Sequence, residues 1–360
     1  MDCHLKSLPL GLPGPFCSRT RYDRNALAFG TSAYPASTEC GKLRGSLPRV
    51  RGSRTLNNLA VVDLYGSGEC LARKCSQGSV VAVGFAAHDV GEVMSDYKQV
   101  AERAARAGGD VLRDWFGRIE ASEKSPKDLV TQADLASQQV IQEIVLDAFP
   151  DHLFLGEEDA GVDDSRTPQA DLRGDSCCWV VDPLDGTVNY VHGLQSFAVS
   201  IALMQGGQPV VGVVYDPLFE ECYSAEQDQG AQLNGTVLQA SDCQSFEQAL
   251  VAASFPPNVE RGAPEIEQFI EILHQSQALR RLGSAALNLC YLAAGRLDAY
   301  WATSIKAWDI AAGVLIAQEA GAVVSDLAGL SLDWEKPRLA SAATPTLHQQ
   351  LLAILASISG

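Results

Sequence analysis

Two stretches of apolar residues with helical spacing open the patterned part of the chain. In residues 95–116 apolar side chains recur at intervals of three and four, and Gly117 marks the end. Residues 131–149 repeat this pattern as far as Pro150. The spacing predicts two amphipathic helices, joined by a polar link at 121–130.

The pattern then changes to short apolar runs bounded by Gly, Pro and Asp, which are typical of buried strands. Such runs lie at 153–155, 179–181, 198–204 and 210–214. Further helices are predicted at 265–277, 285–294, 308–320 and 346–357, with strand-like runs at 298–301 and 322–325. Helices that alternate with strands predict a layered α/β protein.

The start of the chain has a different composition. The first 55 residues hold nine Lys and Arg, three Asp and Glu and five Pro, without helical or alternating periodicity. We expect residues 1–93 to be an unstructured extension and residues 94–360 to form the catalytic domain. The extension has three interpretations: an incorrectly assigned start codon upstream of Met94, an organelle transit segment, or a structured addition.

Charge and length exclude several classes of protein. No apolar run is long enough to span a bilayer, so we expect no membrane partner. Residues 94–360 carry 16 Lys and Arg against 37 Asp and Glu, and such an acidic body repels nucleic-acid phosphates. The ten cysteines form no Cys-x-x-Cys pair, and adjacent Cys177 and Cys178 are interpreted as strand residues in a reducing compartment.

The most informative segment is Trp179-Val-Val-Asp-Pro-Leu-Asp-Gly-Thr-Val-Asn-Tyr190, in which a buried strand runs into a turn with Asp182 and Asp185. Two carboxylates and the Leu184 carbonyl on a rigid turn are suited to a hard cation. Gly186 allows a close approach of the backbone, and Thr187 is predicted to cap a helix whose first amides receive a phosphate oxygen. Asp-Pro and Asp-Gly pairs are also common in purely structural turns.

Three further acidic segments lie where strands end or helices begin. Glu157 and Glu158 follow the run at 153–155, Asp309 opens an apolar helix, and Asp134 follows Thr131 in a first helical turn. Surface exposure explains paired glutamates, and the helix dipole explains an acid in a first turn. Their coincidence at sites where α/β proteins gather ligands favours function. Oxygen ligands without His or Cys predict Mg²⁺, with Mn²⁺ as the alternative, and hence a metal-dependent phosphomonoesterase.

These residues resemble the signatures of the inositol monophosphatase family. The resemblance rests on Gly156-Glu-Glu158, Asp182-Pro-Leu-Asp-Gly-Thr187 and Trp308-Asp-Ile-Ala-Ala-Gly313 followed by Glu319-Ala-Gly321, and it covers residues 95–355. It implies an αβαβα sandwich of the inositol monophosphatase and fructose-bisphosphatase type. It also implies dependence on Mg²⁺, inhibition by lithium and a homodimer.

The resemblance also assigns roles to individual residues. Metal ligands would be Glu157, Asp182, the Leu184 carbonyl, Asp185 and Asp309. Thr187 with Glu157 would activate the attacking water, with Asp134 behind Thr187 as a supporting catalytic residue. Substrate would contact Asp185, Gly186, Thr187, Ser284, Ala285 and Asp309. His192 has no role in this pattern and is expected to be solvated or packed.

One departure concerns the substrate. Inositol-specific members carry an acidic residue seven positions before the Trp-Asp aspartate, and this chain has Ala302 there. The substrate implied first is myo-inositol 1-phosphate, with fructose 1,6-bisphosphate, histidinol phosphate and 3′-phosphoadenosine 5′-phosphate as alternatives for the same chemistry. A different class of function is a catalytically silent phosphatase-like protein that binds a partner or RNA machinery. We expect a cytoplasmic enzyme, or an organellar one if residues 1–93 are a transit segment.

Overall fold

The computed structural model describes residues 87–118, 121–125, 128–159, 172, 174–256 and 258–358. They fall within one unit of the chain, Cys75–Gly360. Residues 1–86 lie outside the described part, so the nature of the expected extension there stays a prediction. The expected boundary at residue 93 is wrong, because residues 87–93 are helical.

Two antiparallel helices form the first layer, as their periodicity predicts. Helix α1 spans Ala87–Trp115 and α2 spans Gln132–Ala148. The polar link predicted between them contains two strands that the sequence did not predict, because β1 (Ala121–Ser125) and β2 (Asp128–Thr131) pair as an antiparallel ribbon. Apolar alternation marks strands that bury one face against a core, and this mostly polar ribbon has no such alternation to detect.

A seven-stranded sheet forms the second layer, in the order β3-β4-β5-β6-β7-β8-β9. Its strands are β3 (Leu153–Gly156), β4 (Cys178–Asp185), β5 (Ala198–Gln205), β6 (Gln208–Asp216), β7 (Glu221–Glu226), β8 (Ala231–Leu233) and β9 (Thr236–Val237). Strands β3 and β4 are parallel, and the other neighbouring pairs are antiparallel. The four predicted strands of this region are confirmed, whereas β7, β8 and β9 were missed. A 3₁₀ turn at Glu157–Asp159 follows β3, and the short helix α3 (Thr187–Val191) follows β4.

The second sheet has five strands, in the order β11-β10-β12-β14-β13. They are β10 (Leu250–Ser254), β11 (Ala278–Arg280), β12 (Ala299–Ala302), β13 (Val323–Ser325) and β14 (Leu339–Ala342). The four predicted helices are confirmed as α4 (Pro264–Gln275), α5 (Ala285–Ala293), α6 (Ala307–Glu319) and α7 (Pro345–Ile358). Because β10 runs parallel to both β11 and β12, the carboxyl ends of these three strands meet at one edge.

The described elements stack as five alternating layers. Helices α1 and α2 pack on the outer face of the seven-stranded sheet, α5 and α6 lie between the two sheets, and α4 and α7 cover the five-stranded sheet. Helix α6 approaches β6 closely, since a Cβ on Gly212 would lie 2.7 Å from the Ala312 carbonyl oxygen. The predicted αβαβα sandwich is therefore confirmed. Three buried apolar clusters fill the spaces between successive layers.

The structure also places several further features that the sequence analysis singled out. Within the described ranges, no helix is both long and apolar enough to cross a bilayer. Cys178 is buried at the start of β4, which confirms it as a strand residue, whereas half-buried Cys177 precedes the strand, so that prediction is wrong for Cys177. Both are free thiols. Burial raises the pKa of Cys178 to about 12, which suppresses thiolate chemistry. His192 is exposed to solvent.

Candidate active site

The register of two parallel strands places the first two acidic residues side by side. Gly156 at the end of β3 pairs with Val181 in β4, so the next residue along each strand is Glu157 and Asp182. Helix α2 supports this edge, because the Ser137 hydroxyl donates to the Pro183 carbonyl at 3.2 Å. Strand pairing therefore builds this pair of carboxylates.

Asp185 lies on the same strand as Asp182, beyond an irregularity in the register between β4 and β5. The sequence predicted that both aspartates lie in a turn, and the structure corrects this by extending β4 to Asp185. The backbone between them is nevertheless turn-like, because the Leu184 N–H donates to Asp182 Oδ1 at 2.9 Å. Both aspartates are buried, which makes them the floor of the site.

The N-terminus of α5 holds Asp185 in place. Ser284, the N-cap of α5, donates its hydroxyl to Asp185 Oδ2 at 2.5 Å, and the Ala286 N–H donates to the same oxygen at 2.7 Å. Ala285, the other predicted residue of this segment, is the first residue of α5 and is largely buried. The helix N-terminus thus supplies polar N–H groups to a buried carboxylate.

A hydrogen bond from β5 positions the fourth carboxylate. Ser200 pairs with Asp182 across the sheet, and its hydroxyl donates to the Trp308 carbonyl at 3.1 Å. Asp309 follows Trp308 in the first turn of α6, where its Oδ2 accepts the Lys306 N–H at 2.8 Å. Asp309 is half-buried, as is Glu157, so these two residues form the accessible rim above the floor.

Burial and neighbouring carboxylates disfavour the charges of Asp182, Asp185 and Asp309. Burial, followed by repulsion from Glu157, Asp185 and Asp309, raises the pKa of Asp182 well above its usual range. Burial and Asp185 likewise raise the pKa of Asp309. The pKa of Asp185 rises to about 6 because of burial, although its hydrogen bond from Ser284 works in the opposite direction. Such a concentration of negative charge is what a bound cation would relieve.

The segment after Asp185 differs from its prediction in one respect. Gly186, not Thr187, is the N-cap of α3, with φ of +100°, and Thr187 is the first helical residue. The Thr187 hydroxyl donates to the Leu184 carbonyl at 3.1 Å. Thr187 therefore stays at the rim close to the carboxylates, but its side chain does not cap the helix.

We expect Gly186→Ala to lower the free energy of unfolding by about 2 to 3 kcal/mol. A side chain is strained at positive φ, and here a Cβ would also lie 2.9 Å from the Ser196 carbonyl oxygen. Gly193→Ala is the matched control, because φ there is +73° and a Cβ at that position would have no atom within 4 Å. Urea unfolding should show a loss near 1 kcal/mol for the control, and equal losses in both variants would contradict the steric argument.

Asp134 occupies a buried position in the first turn of α2. Its Oδ2 accepts the Thr131 hydroxyl at 2.5 Å and the Thr131 N–H at 3.0 Å, which completes a capping box. Burial raises its pKa to about 7, and the hydrogen bond from Thr131 opposes this rise. The negative charges of Glu158 and Glu157 also raise the pKa of Asp134. The role of Asp134 behind Thr187 stays a prediction.

All the predicted metal ligands carry oxygen atoms, which suits Mg²⁺ or Mn²⁺ and not zinc. In the described ranges, however, no three His, Cys, Asp or Glu side chains are already arranged closely enough to hold a metal ion. Hydrogen bonds within the protein contribute to this arrangement, because backbone N–H groups already donate to one carboxylate oxygen of each of Asp182, Asp185 and Asp309. The residues thus fit a hard cation by chemistry and by charge, with side-chain adjustment needed to close around it.

Sequence reasoning missed several residues that assemble the site. Ser137 joins α2, which carries Asp134, to β4, which carries Asp182. Ser200 of β5 pairs with Asp182 and donates to α6, which carries Asp309. Asn189 Nδ2 donates to the carbonyls of Ser196 and Leu282 at 2.7 Å each. No local pattern marks these residues, since each acts on a residue distant in the chain. Only Asn189 lies inside a motif with a predicted role, the segment that ends in Thr187-Val-Asn-Tyr190.

Comparison with known proteins decides the family. The model of the inositol monophosphatase family matches residues 93–359. The chain belongs to the inositol monophosphatase family. Membership supports phosphatase chemistry at this site, because the matched range includes all four carboxylates.

Some relatives of this chain are named as a Nus factor and others as phosphatases. It is 37% identical over 267 residues to Nus factor SuhB of Pseudomonas aeruginosa, covering 72% of this chain and 96% of that protein. It is 38% identical to the fructose-1,6-bisphosphatase/inositol-1-monophosphatase of Aquifex aeolicus, covering 64% and 86%. The solved IMPase of Thermotoga maritima is 30% identical with a TM-score of 0.65, covering 73% and 98%. The names of these relatives therefore differ on function.

Proposed function

We propose that this chain is a Mg²⁺-dependent phosphomonoesterase acting on a small phosphorylated polyol or sugar. The observation that carries the proposal is the convergence of Glu157, Asp182, Asp185 and Asp309 from β3, β4 and α6 at one edge of the fold. Among the described residues that contribute most to the pKa values of Asp182, Asp185 and Asp309, one is a cation, Lys306, which acts on Asp309. Because positive side chains neutralise so little of the negative charge of these four acids, the site favours a divalent cation and the phosphate that it binds.

In this proposal Glu157, Asp182 and the Leu184 carbonyl hold one ion, and Asp182, Asp185 and Asp309 hold a second. When bound, Mg²⁺ supplies Lewis-acid polarisation of the phosphate and charge neutralisation for the departing alkoxide. These assignments follow the family resemblance, and the buried pair Asp182 and Asp185 supports them. Homodimer formation, lithium sensitivity and a cytoplasmic location are kept as predictions.

The residues of the chain then orient the reactants. Thr187 and Glu157 lie at the rim, where a carboxylate and a hydroxyl are suited to aligning a water molecule and accepting its proton. The amides of Gly186 and Thr187 are proposed to receive phosphate oxygens. Ser284 keeps Asp185 in the geometry that the site needs, and Ala285 and Asp309 are proposed to contact the leaving group.

The test is phosphate release by the full chain on four esters: myo-inositol 1-phosphate, fructose 1,6-bisphosphate, histidinol phosphate and 3′-phosphoadenosine 5′-phosphate. We expect turnover with Mg²⁺, its loss with EDTA and its inhibition by lithium. Turnover of at least one ester that survives complete chelation would overturn the metal-dependent mechanism.

The second candidate, a catalytically silent binding protein, is favoured only by relatives that carry the name Nus factor. It predicts thermal stabilisation by Mg²⁺ without phosphate release from any of the four esters.

The expected lack of nucleic-acid binding is likewise kept as a prediction, and a gel-shift experiment with the full chain at physiological salt tests it.

A further inference from the structure

The side chain of Gln138 contacts the 3₁₀ turn that carries Glu157. Gln138 is buried in α2, and its Oε1 accepts the Glu158 N–H at 3.1 Å. Burial raises the pKa of Asp159 in the same turn, and a hydrogen bond from Gln138 opposes this rise. One amide group therefore binds the turn twice, as an acceptor for the backbone of Glu158 and as a donor to the carboxylate of Asp159.

The hydrogen bond to Glu158 fixes the backbone next to a proposed metal ligand. The Glu158 N–H and the Glu157 carbonyl belong to one planar peptide unit, so a partner for this N–H restricts rotation of that plane about the Glu157 Cα atom. Because the side chain of Glu157 leaves the same Cα atom, its direction depends on the orientation of this peptide. Gln138 thus acts on Glu157 through the backbone.

The residue before Glu157 leaves the space that this contact needs. Gly156 ends β3, and a Cβ at this position would collide with Oε1 of Gln138 and lie 2.8 Å from its Nε2. Gly156 pairs with Val181 in the sheet, so the end of the Gln138 side chain can move aside more easily than the strand. A side chain at position 156 would therefore push the amide away from the turn.

The preceding residue of α2 supports the other half of the same carboxylate pair. Ser137 donates to the carbonyl of Pro183, the residue that follows Asp182 in β4. Ser137 and Gln138 are consecutive and both buried, so one turn of α2 contacts the backbone beside Asp182 and the backbone beside Glu157. A rigid helix thus sets how these two carboxylates face each other.

We propose that Gln138 is a positioning residue, which orients Glu157 toward Mg²⁺ and the attacking water. This inference rests on the proposed phosphomonoesterase function and adds a residue to it. An amide both accepts the Glu158 N–H and donates to the Asp159 carboxylate. Gln138→Glu keeps the acceptor and loses the donor, whereas Gln138→Met loses both groups at a similar side-chain length. The two variants therefore separate the contribution of the backbone contact from that of the side-chain contact.

The experiment compares Gln138→Met with the unaltered full chain in three measurements. In the metal-free protein, hydrogen exchange of the Glu158 amide should become at least about tenfold faster, because its acceptor is lost. Calorimetric titration should give a dissociation constant for Mg²⁺ that is about tenfold higher. At saturating Mg²⁺, kcat on the preferred ester should fall about tenfold, while KM for the ester changes less than about threefold. Gln138→Glu should recover most of each loss, because its carboxylate still accepts the N–H.

Gln139→Met is the matched control, because it removes the same amide one residue away, from an exposed side chain that donates to Glu143 Oε1 at 3.0 Å. It should leave all three measurements within about twofold of the unaltered chain. Gly156→Ala is a second test, which displaces the Gln138 amide without removing it and should reproduce the effects of Gln138→Met. Because both changes break the same contact, the double variant should lose little more than the stronger single variant.

A purely structural role would lower the stability of Gln138→Met to urea and leave the Mg²⁺ affinity and kcat unchanged. Faster exchange of the Glu158 amide, with both of these values within about twofold of the unaltered chain, would therefore overturn the inference while phosphatase activity stands. Additive losses in the double variant would also contradict it. Absence of turnover by the unaltered chain would overturn the proposed function itself, and the Mg²⁺ titrations would then decide the positioning role alone.

Discussion

Asp182→Asn is expected to reduce kcat on the preferred ester by on the order of 10³ or more, without loss of the folded state. Asp182 lies at the centre of the cluster, where Glu157, Asp185 and Asp309 all act on its charge. The amide keeps an oxygen that accepts the Leu184 N–H but has no negative charge for a cation. The same loss is expected for Asp309→Asn.

Stability separates this chemical effect from damage to the fold. Because burial and repulsion already disfavour the charged form of Asp182, the neutral amide should leave the metal-free melting temperature unchanged or raise it. Asp110→Asn is the control for removing an acid, since Asp110 is exposed and pairs with Arg113. Its activity should stay within about twofold of the unaltered chain. Full activity of Asp182→Asn would refute the assignment of Asp182 as a metal ligand.

Mg²⁺ is expected to stabilise the protein strongly, and to do so more as the pH rises. At 100 times its dissociation constant, a ligand of the folded state adds about 2.7 kcal/mol, which corresponds to roughly 5 °C for a folded domain of about 270 residues. Thermal melts with Mg²⁺ and with EDTA measure this difference. Asp182→Asn should lose most of it, whereas Asp110→Asn should keep it.

The pH dependence follows from the raised pKa values. Asp134 has a pKa of about 7 and Asp185 of about 6 in the folded chain, above the ordinary value for aspartate, so the folded state holds more protons than the unfolded state in this range. The metal-free protein should therefore lose stability as the pH rises from about 4 to 7. Metal binding at the carboxylates must release protons, so the apparent affinity for Mg²⁺ should rise over the same interval.

Calorimetric titration with Mg²⁺ in two buffers of different ionisation enthalpy would count the released protons at pH 6 and at pH 8. We expect release at pH 6 and little at pH 8. A metal-free stability that rises between pH 4 and 7, or Mg²⁺ binding without proton release at pH 6, would contradict the raised pKa values.

Prediction from sequence succeeded where a segment's own pattern determines its structure. The helices α2 and α6 carry long apolar repeats, and β4, β5 and β6 carry continuous apolar runs, because these elements are buried on one or both faces. The short strands β10 and β14 were missed, since Leu250-Val-Ala-Ala-Ser254 and Leu339-Ala-Ser-Ala342 are short and rich in small residues that suit helices equally well. Neighbouring strands and covering helices decide such segments.

The same distinction holds for the site. The sequence by itself determined which carboxylates are candidates, because Asp182-Pro-Leu-Asp-Gly-Thr187 and Trp308-Asp309 have a local geometry and a family resemblance that are readable without contacts. Tertiary structure decided that they meet. Ser284 reaches Asp185 from 99 positions away and Ser200 reaches Trp308 from 108 positions away.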